Sequence, residues 1–534
     1  MFGRAQRGGL FSGATREPAA QPPDKTVAVT TTLFSGGQIL TPDHSAASAM
    51  LVRGASIAWV GDRDGAARHI DSADRVVELD GALVTPAFVD AHVHLSQTGL
   101  ALTSLDLSTV RSLAEALDAI AAYARGRSDQ VLLGFGWDES RWPEGRPPTG
   151  AELDRAVGDR LCYLSRVDGH SAIASAALLT AAPGVSSADG WDGTGRVERA
   201  AHHVARDAVQ AHLGPGQRRD ALVTALQHGA SLGIGCVHEI SAPHINPPSD
   251  IAEIAAIASA TSTITVLPYW GELHAVARAR ELGCRGAAGD LCADGSIGSR
   301  TAALTAPYTD AETSGYAYLS ADEVHDHVAA CTRAGLQAGF HAIGDGGVTA
   351  VVDGMKAAAD DVGIDAFVAA RHRIEHLELV TAEQAALLAR LGVVASVQPA
   401  FDATWGGEAG MYAERLGTDR ALAMNPYRTL AAAGVTLAFG SDSPVTPIDP
   451  WGGVRAAVHH QVAAQRLSPD EALEAHTRGG WRAAGVDDSG RLEPGAPATF
   501  AVWDTTTVAG GVTATPTCLR TVVDGRTVFP VPSR

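Results

Sequence analysis

Short runs in which apolar and polar residues alternate lie at both ends of the chain. They begin near residue 26 and recur up to residue 84, and the stretch 491–534 has the same texture. Alternation with a period of two, ended by Gly or Pro, is typical of half-buried β-strands. Because chain ends often meet at a domain surface, we expect residues 26–84 and 491–534 to form one small composite β-sandwich.

The long middle of the chain, residues 85–490, has a different pattern. Apolar strand candidates alternate there with Ala-rich stretches of helical period, which is typical of βαβ units and a parallel sheet. The ten candidate strands end near His94, Trp137, Arg166, Glu239, Tyr269, Asp290, His341, His376, Gln398 and Asp442. If the second and third belong to an insertion at about residues 98–230, eight strands remain, the number that closes a barrel. The predicted fold is therefore α/β: a (β/α)8 TIM-like barrel with an inserted subdomain, plus the small β-sandwich.

Composition excludes several classes of protein. With 46% hydrophobic and 19% charged residues, the 534-residue chain can bury a large core and is not globally disordered. A net charge of −19 argues against nucleic-acid and anionic-membrane partners, because both need clustered Lys and Arg. The first 25 residues lack a hydrophobic segment and are interpreted as a disordered leader, not a secretory signal. The six cysteines form no CxxC pair and are expected to be buried reduced thiols, as in a cytoplasmic protein. The expected partner is a small-molecule substrate, and a homodimer stays open.

The strongest chemical signal is the segment Pro86-Ala-Phe-Val-Asp-Ala-His92-Val-His94. Residues i and i+2 of a strand face the same side, so the His92 and His94 side chains project together. Paired imidazoles can bind one zinc-like ion, although an isolated HxH can also be two unrelated histidines.

Three more candidate ligands close later predicted strands: His341, His376 and Asp442. The carboxyl ends of barrel strands meet at one mouth, so these side chains should lie close together in space. Several imidazoles with a carboxylate are the composition of a catalytic metal site. Taken alone, Asp442 could instead be a turn residue before Pro444.

Four long segments resemble the amidohydrolase superfamily of metal-dependent hydrolases, in its branch of YtcJ-like and N-substituted formamide deformylase-like proteins. They are GFGWDESRWPEGRPPTGAELD (134–154), LSRVDGHSAIAS (164–175), DGSIGSRTAALTAPY (294–308) and GSDSPVTPIDPW (440–451). The resemblance spans roughly residues 28–530 and implies a metal-dependent hydrolase with a barrel and a small sandwich made from both ends. It is specific to the branch and does not identify a substrate.

The resemblance also implies roles for individual residues. His92 and His94 would bind a first metal with Asp442, and His341 and His376 would bind a second, or His341 would join a single-metal site. Many relatives have a bridging carbamylated lysine four residues before a DGS motif. The residue at that offset from Asp294-Gly-Ser is Asp290.

The chain cannot form such a carbamylated bridge if this alignment holds. Its two lysines are Lys25, in the predicted leader, and Lys356, in a helical stretch after the fifth predicted strand. A carboxylate could bridge two cations with its own oxygens, but Asp290 is several bonds shorter than a carbamylated lysine. Asp290 is therefore either a tentative metal bridge or a capping residue of a helix or turn.

The expected cofactor is one or two divalent ions, with zinc as the first choice. A divalent ion lowers the pKa of its water from 15.7 to about 7 and polarises a carbonyl. Asp442 can then act as general base toward the water and as general acid toward the leaving amine.

A second group of residues is predicted to contact substrate or support the ligands: Trp137, Asp138, Arg166, His170, Glu239, Arg300 and Asp345. For some of them a structural role is equally open, such as a packed Trp137 or a salt bridge between Arg166 and Asp168. The pairs His202-His203 and His459-His460 are expected to be solvated and not metal ligands.

The leading hypothesis is hydrolysis of a C–N bond in a small amide or formamide. The same barrel and ligands would also serve a deaminase of cyclic amidines such as nucleobases. The missing lysine leaves a third hypothesis, a catalytically inactive barrel that binds a ligand.

Overall fold

The computed structural model describes residues 29–42, 46–127, 131–261 and 263–530. The predicted leader, residues 1–25, lies outside the described residues. No helix among the described residues is both long and apolar enough to cross a membrane.

The N-terminal part consists mainly of short strands. They are β1 (Thr31–Ser35), β2 (Gln38–Ile39), β3 (Ala49–Arg53), β4 (Ser56–Gly61), β5 (Arg75–Glu78) and β6 (Leu83–Pro86), with helix α1 (Arg63–Ala66) after β4. Four of these strands form a sheet in the order β4-β3-β1-β5.

Strand β7 (Phe88–Val93) is followed by a segment that forms a sheet of its own, in the order β12-β11-β10-β9-β8. The elements are α2 (Leu95–Thr103), β8 (Leu105–Asp106), α3 (Leu113–Arg125), β9 (Val131–Trp137), α4 (Gly150–Val157), β10 (Leu161–Arg166), β11 (Ser171–Ala174), α5 (Ala176–Ala181), β12 (Arg196–Glu198), α6 (Arg199–His212) and α7 (Pro215–Ser231). The predicted strands that end at Trp137 and Arg166 are thus β9 and β10 of this separate sheet.

Strands and helices alternate through the rest of the middle of the chain. They are β13 (Ile234–Ser241), α8 (Pro248–Ala260), β14 (Thr265–Trp270), α9 (Val276–Glu281), β15 (Gly286–Ala287), α10 (Ala321–Ala334), β16 (Gln337–Ala342), α11 (Asp345–Val362), α12 (Ile364–Ala370), β17 (Arg373–His376), α13 (Ala382–Arg390), β18 (Val394–Val397), α14 (Pro399–Trp405), α15 (Met411–Leu416), α16 (Thr418–Ala421), α17 (Tyr427–Ala433) and β19 (Thr436–Phe439).

The C-terminal part begins with helices and ends with strands. It contains α18 (Pro450–Val458), α19 (Pro469–Ala475), α20 (Arg478–Ala483), β20 (Phe500–Trp503), α21 (Val508–Thr513), β21 (Cys518–Val523) and β22 (Arg526–Phe529).

Eight strands of the middle form two parallel sheets, β7-β13-β14 and β15-β16-β17-β18-β19. Backbone hydrogen bonds also connect the two sheets: Ala288 N–H donates to Trp270 O (3.1 Å), and Asp442 N–H donates to His92 O (2.8 Å). Parallel strands joined through helices are consistent with a TIM-like barrel, whose strand ends position the site.

Strands from both chain ends share one further sheet, in the order β2-β6-β20-β21-β22. Side chains of this sheet and of the β4-β3-β1-β5 sheet pack in one apolar core that contains Phe34, Met50, Val84, Phe500 and Val522. The Phe34 and Phe500 rings meet edge to face, with centroids 5.0 Å apart.

Local sequence signals account for several helix starts. A Ser or Thr caps the backbone N–H three residues later, while the Glu or Gln at that position binds back to the cap. This capping box occurs at Thr149 with Glu152, Ser320 with Glu323, Thr381 with Gln384 and Ser468 with Glu471.

Candidate metal centre and catalytic cavity

The six predicted ligands come together at the carboxyl ends of the parallel strands. They are His92 at the end of β7, His94 just after it, Asp290 after β15, His341 in β16, His376 at the end of β17 and Asp442 after β19. All six side chains are nearly inaccessible to solvent. The chain therefore buries four imidazoles and two carboxylates in one small volume.

The Asp290 carboxylate lies among all four imidazoles. Its oxygens are 3.5 Å from His92 Nε2, 3.3 Å from His94 Nε2, 3.8 Å from His341 Nδ1 and 3.8 Å from His376 Nε2. Although this side chain is short, it reaches the middle of the cluster because the loop after β15 carries its backbone there.

Asp442 approaches the same imidazoles from the last strand. Its Oδ1 lies 3.4 Å from His92 Nε2 and 3.1 Å from His94 Nε2. Two sets of donor atoms lie close enough to hold one cation each: His92, His94 and Asp442, and His92, Asp290 and His376. His92 Nε2 belongs to both sets and has one lone pair, so it can serve only one of these two adjacent positions at a time.

Hydrogen bonds behind the histidines fix which ring nitrogen faces the cluster. The Nδ1 atom of His92 lies 2.9 Å from Glu375 Oε2, that of His94 lies 2.8 Å from Ile240 O, and that of His376 lies 2.8 Å from Gln398 Oε1. Each acceptor takes the Nδ1–H, so Nε2 is the ring nitrogen that faces the cluster. Metal-binding histidines are usually oriented in this way.

The donor set fits a divalent cation. His92 Nε2 and Asp290 Oδ1 are buried and have no hydrogen-bond partner among the described residues. A buried polar atom without a partner is costly, and a cation between these two atoms would satisfy both.

Electrostatics also favour positive charge at this point. Burial lowers the pKa of His94, but hydrogen bonds to Asp290 and Asp442 outweigh it and raise that pKa to about 10. Burial raises the pKa of Asp442, but the charge of His92 and hydrogen bonds from His92 and His94 hold it below its ordinary value. The carboxylates are therefore ionised and require a positive partner, which a divalent cation supplies.

Unusual backbone conformations turn two of the ligands into the cluster. His376 has φ 66° and Asp442 has φ 54°, values that non-glycine residues rarely adopt. In a regular strand Glu375 and His376 would face opposite sides, yet Glu375 binds His92 while His376 faces Asp290. Such conformations cost about 1–3 kcal/mol each and are concentrated at functional sites.

A cavity of about 700 Å³ opens above the ligands. The side chains of His94, Asp290 and Asp442 are exposed to it, and Phe401 and Trp405 form an aromatic wall. This volume is in the range of small-molecule sites.

Three of the predicted substrate contacts line this cavity: Asp138, Arg166 and His170. Arg166 also forms the ion pair with Asp168 (2.9 Å) and a second one with Asp138 (3.2 Å). The His170 ring centroid lies 6.2 Å from that of His341. Arg166 therefore both forms the expected salt bridge and lines the cavity.

The other four predicted residues do not line the cavity in the structure. Trp137 packs in an apolar core of the inserted segment, and its Nε1 donates to Leu164 O at 2.8 Å. Glu239 is buried and accepts the Leu95 N–H at 2.7 Å.

Arg300 and Asp345 are likewise engaged elsewhere. Arg300 binds Asp310 at 2.7 Å, and Asp345 accepts the backbone N–H of Thr305 at 3.0 Å. Arg300 lies between the cavity residues Ser299 and Thr301, but its side chain, like that of Asp345, is bonded to a neighbouring loop.

Of the two His-His pairs predicted to be solvated, His202 and His460 are buried instead, whereas His203, on the cavity wall, and His459 are exposed. His202 is buried against the Tyr163 hydroxyl, and both His202 and His203 line the cavity. His460 is buried with Nε2 3.0 Å from Asn425 O, whereas His459 is exposed.

Sequence reasoning missed the residues behind the ligands. Arg373 and Glu375 are fully buried, and Glu375 joins Arg373 to His92. Their spacing of two in a predicted strand was a usable signal, because residues i and i+2 share a face. Gln398 had no comparable signal, because its partner His376 lies on another strand.

Comparisons with known proteins agree with this architecture. The sequence profile of the amidohydrolase family matches residues 75–529. The putative amidohydrolase YtcJ of Bacillus subtilis is 27% identical over 80% of this chain and 84% of its own length. The N-substituted formamide deformylase of Arthrobacter pascens is 26% identical over 90% of this chain and 95% of its own length.

A solved structure extends the likeness to three dimensions. An uncharacterized metal-dependent hydrolase from Pyrococcus furiosus superimposes with a TM-score of 0.71 at 28% identity, covering 89% of this chain and 99% of that protein. The profile match covers most of the chain. The chain therefore belongs to the amidohydrolase family and is a hydrolase that acts on carbon–nitrogen bonds other than peptide bonds.

Proposed function

We propose that this protein hydrolyses the C–N bond of a small amide or formamide, using one or two zinc-like cations. The observation that carries the proposal is the pair of buried atoms without partners, His92 Nε2 and Asp290 Oδ1, beside the cavity. The likeness to N-substituted formamide deformylase over 90% of the chain supports a formamide-type substrate.

One cation would be held by His92, His94 and Asp442, and a second one by His341 and His376 with Asp290 between them, because the single lone pair of His92 Nε2 can serve only one cation. Imidazole nitrogens and carboxylate oxygens are ligands that zinc prefers. A bound cation supplies a Lewis acid for the substrate carbonyl and a water that ionises near neutral pH. The Nδ1 partners Glu375, Ile240 and Gln398 keep the rings in place for this chemistry.

Asp442 is the proposed general base and acid. Its carboxylate lies at the cavity wall, and its lowered pKa keeps it ionised and able to accept a proton from the attacking water. Hydrolysis of an amide then requires that proton on the leaving nitrogen, and Asp442 can deliver it to that atom.

Asp290 is proposed to take the bridging position that a carbamylated lysine occupies in many relatives. The contacts of 3.3–3.8 Å to four imidazoles support this placement. Lys356 is half-exposed on α11, where it binds Asp360 at 2.7 Å. Lys25 lies outside the described residues.

The proposed architecture is a closed (β/α)8 barrel of residues 85–490 with an insertion at about 98–230, and a composite sandwich of 26–84 with 491–534. The hydrogen bonds from Ala288 to Trp270 and from Asp442 to His92 support closure at both junctions between the sheets. The net charge of −19 supports a small-molecule substrate, and a cytoplasmic location is part of the proposal.

The test combines metal analysis with a screen of N-formyl and N-acyl amines. We expect the purified protein to contain zinc or a similar ion, and His92→Ala and Asp442→Asn to lower turnover by at least 1,000-fold while circular dichroism stays unchanged. His459→Ala, at the exposed histidine, is the matched control and should keep full activity.

Other outcomes would contradict the proposal. Ammonia release from a cyclic amidine without amide turnover would favour the deaminase. Bound metal without turnover of any of these classes would favour a barrel that only binds a ligand. Full activity of either variant would remove the role assigned to that residue.

A further inference from the structure

One face of helix α6 forms part of the cavity wall. Arg199, His202, His203 and Arg206 have the spacing i, i+3, i+4 and i+7, which places side chains on one face of a helix, and all four line the cavity. The opposite face packs in an apolar core through Ala201, Ala205, Ala208 and Val209. The helix therefore presents two arginines and two imidazoles to the cavity.

Two of the three cavity arginines are already paired with carboxylates. Arg166 contacts Asp138 and Asp168, at 3.2 and 2.9 Å. Arg199 binds Asp189 at 2.7 Å. Their charges are balanced by the protein itself, so neither requires a ligand.

Arg206 differs from both. It is half-buried in the cavity wall, and among the described residues no carboxylate oxygen lies within 4.0 Å of its guanidinium and no acceptor forms a hydrogen bond with it. An unpaired cation is unexpected in a chain with a net charge of −19, where acidic partners are abundant. Its free donors point to a ligand from outside the protein.

Two imidazoles next to Arg206 add neutral donors. The rings of His203 and His244 have centroids 5.3 Å apart, and neither ring forms a hydrogen bond within the described part of the chain. Desolvation in the cavity wall, with help from the charge of Arg206, lowers the pKa of His203 to about 4. Burial, with the charges of His203 and Arg206, lowers the pKa of His244 to about 3. Both rings are therefore neutral at pH 7 and offer N–H groups without adding charge.

This combination matches a carboxylate. A guanidinium binds a carboxylate through two parallel hydrogen bonds, and one positive charge balances one negative charge. A phosphate would leave excess negative charge beside neutral imidazoles. The carboxylate is the anion that these donors complement.

We propose that Arg206, His203 and His244 bind a carboxylate of the substrate, so that the substrate is an N-formyl or N-acyl amine with a carboxylate group. His94 and Asp290 line the same cavity as Arg206, so one small molecule can contact the candidate metal centre and Arg206 together. This inference rests on the proposed amide hydrolysis and specifies its substrate class.

The kinetic test compares ω-formamido carboxylates of three to six methylene groups with N-formyl alkylamines of the same lengths. Arg206→Gln should lower kcat/KM for the carboxylates by about 10- to 100-fold, mainly through KM, because a hydrogen-bonded charge pair is lost. The values for the neutral amines should stay unchanged. Arg199→Gln, on the same face but at an arginine with a protein partner, should keep the preference for carboxylates. An equal loss for both series, or no preference in the wild type, would overturn the inference.

A binding measurement separates this inference from the proposed function. Titration calorimetry with hexanoate on the metal-loaded full-length protein should show binding that Arg206→Gln weakens at least 10-fold and Arg199→Gln leaves unchanged. If Arg206→Gln has no effect, hexanoate binds elsewhere and the inference is wrong. If hexanoate binding depends on Arg206 but no amide or formamide is hydrolysed, the carboxylate site stands and the proposed function fails.

Discussion

At the scale of single residues, the candidate metal centre depends on side chains that do not face the metal. Arg373 is fully buried and places its guanidinium against both Glu375 oxygens, the Ala91 carbonyl oxygen and Ser396 Oγ. Glu375 Oε2 also accepts the His92 Nδ1–H at 2.9 Å. One buried ion pair thus fixes the orientation of the imidazole that both candidate metal positions share.

We therefore predict that Glu375→Gln lowers metal affinity by about 10- to 100-fold, because outer partners of metal ligands typically have effects of this size. The variant also leaves the Arg373 charge buried without its carboxylate, so the free energy of unfolding should fall by about 3–5 kcal/mol. Competition with a chromogenic chelator measures the metal affinity, and urea titration measures the free energy of unfolding. Glu471→Gln, at an ion pair on the surface, is the control, and equal affinities of both variants would contradict the argument.

A buried histidine away from the centre predicts the response to acid. Burial lowers the pKa of His372 to about 3, and Nδ1 of this ring accepts the Ala338 N–H at 2.9 Å. The unfolded chain binds this proton near pH 6.5, so the stability contribution is complete above that pH and is lost as the pH falls toward about 3. His372→Asn should reduce the pH dependence of the unfolding free energy by up to about 1.4 kcal/mol per pH unit, with the full slope reached only well below pH 6.5. Urea titrations between pH 7 and 5 measure this pH dependence. If the unfolding free energies of His372→Asn and His459→Asn change in parallel with pH, the prediction is wrong.

At the scale of elements, the strand ends approach one another too closely for ordinary side chains. A Cβ atom at Gly440 would lie 2.5 Å from the backbone nitrogen of His92, and one at Gly271 would lie 2.8 Å from the backbone nitrogen of Leu291, next to Asp290. These glycines let β19 approach β7 and let β14 approach the loop that carries Asp290. Neither glycine has a positive φ, so both are required by the close approach of neighbouring elements and not by their backbone conformation.

Gly440→Ala should therefore displace the end of β7 and with it His92. We expect turnover to fall by about 100-fold, since a displacement of 1 Å can have that effect on a catalytic site. Gly216→Ala is the matched control, because a Cβ there meets nothing within 4 Å and should leave turnover unchanged. A Gly440→Ala protein with normal turnover and metal content would show that β7 and β19 tolerate separation.

At the scale of the whole molecule, a bound cation would connect both parallel sheets. His92 belongs to the β7-β13-β14 sheet, while His341 and His376 belong to the sheet that runs from β15 to β19. Asp442, after β19, already binds the β7 backbone. Metal binding should therefore stabilise the barrel as a unit.

We predict that chelation lowers the melting temperature of the protein by several degrees, because a free ion at 100 times its Kd contributes about 2.7 kcal/mol. The double variant His92→Ala with Asp442→Asn should melt at the same temperature with and without chelator. Added bicarbonate should not raise the metal content, since no carbamylated lysine is expected at the centre. A sharp rise with bicarbonate would contradict the placement of Asp290.

Features that depend on local spacing could be predicted from the sequence, whereas contacts between distant elements could not. The period of two in β7 places His92 and His94 on one face, and the βα alternation leads His341, His376 and Asp442 to a common edge. Local spacing decides these features, so the sequence was sufficient for them. The scarcity of lysine is likewise a property of composition.

Other features depend on neighbours that lie far apart in sequence. The reach of Asp290 depends on the path of the loop after β15. The contact of Glu375 with His92 joins strands that are distant in sequence, and the turning of His376 into the cluster requires a left-handed backbone that no periodicity predicts. In the sequence Arg206 is one of several basic residues in a helix, and only the packing of α6 places it in the cavity wall. The sequence by itself determined which side chains share a face of a strand or helix. Tertiary packing decided which faces meet, because elements that are distant in sequence come into contact only in the folded chain.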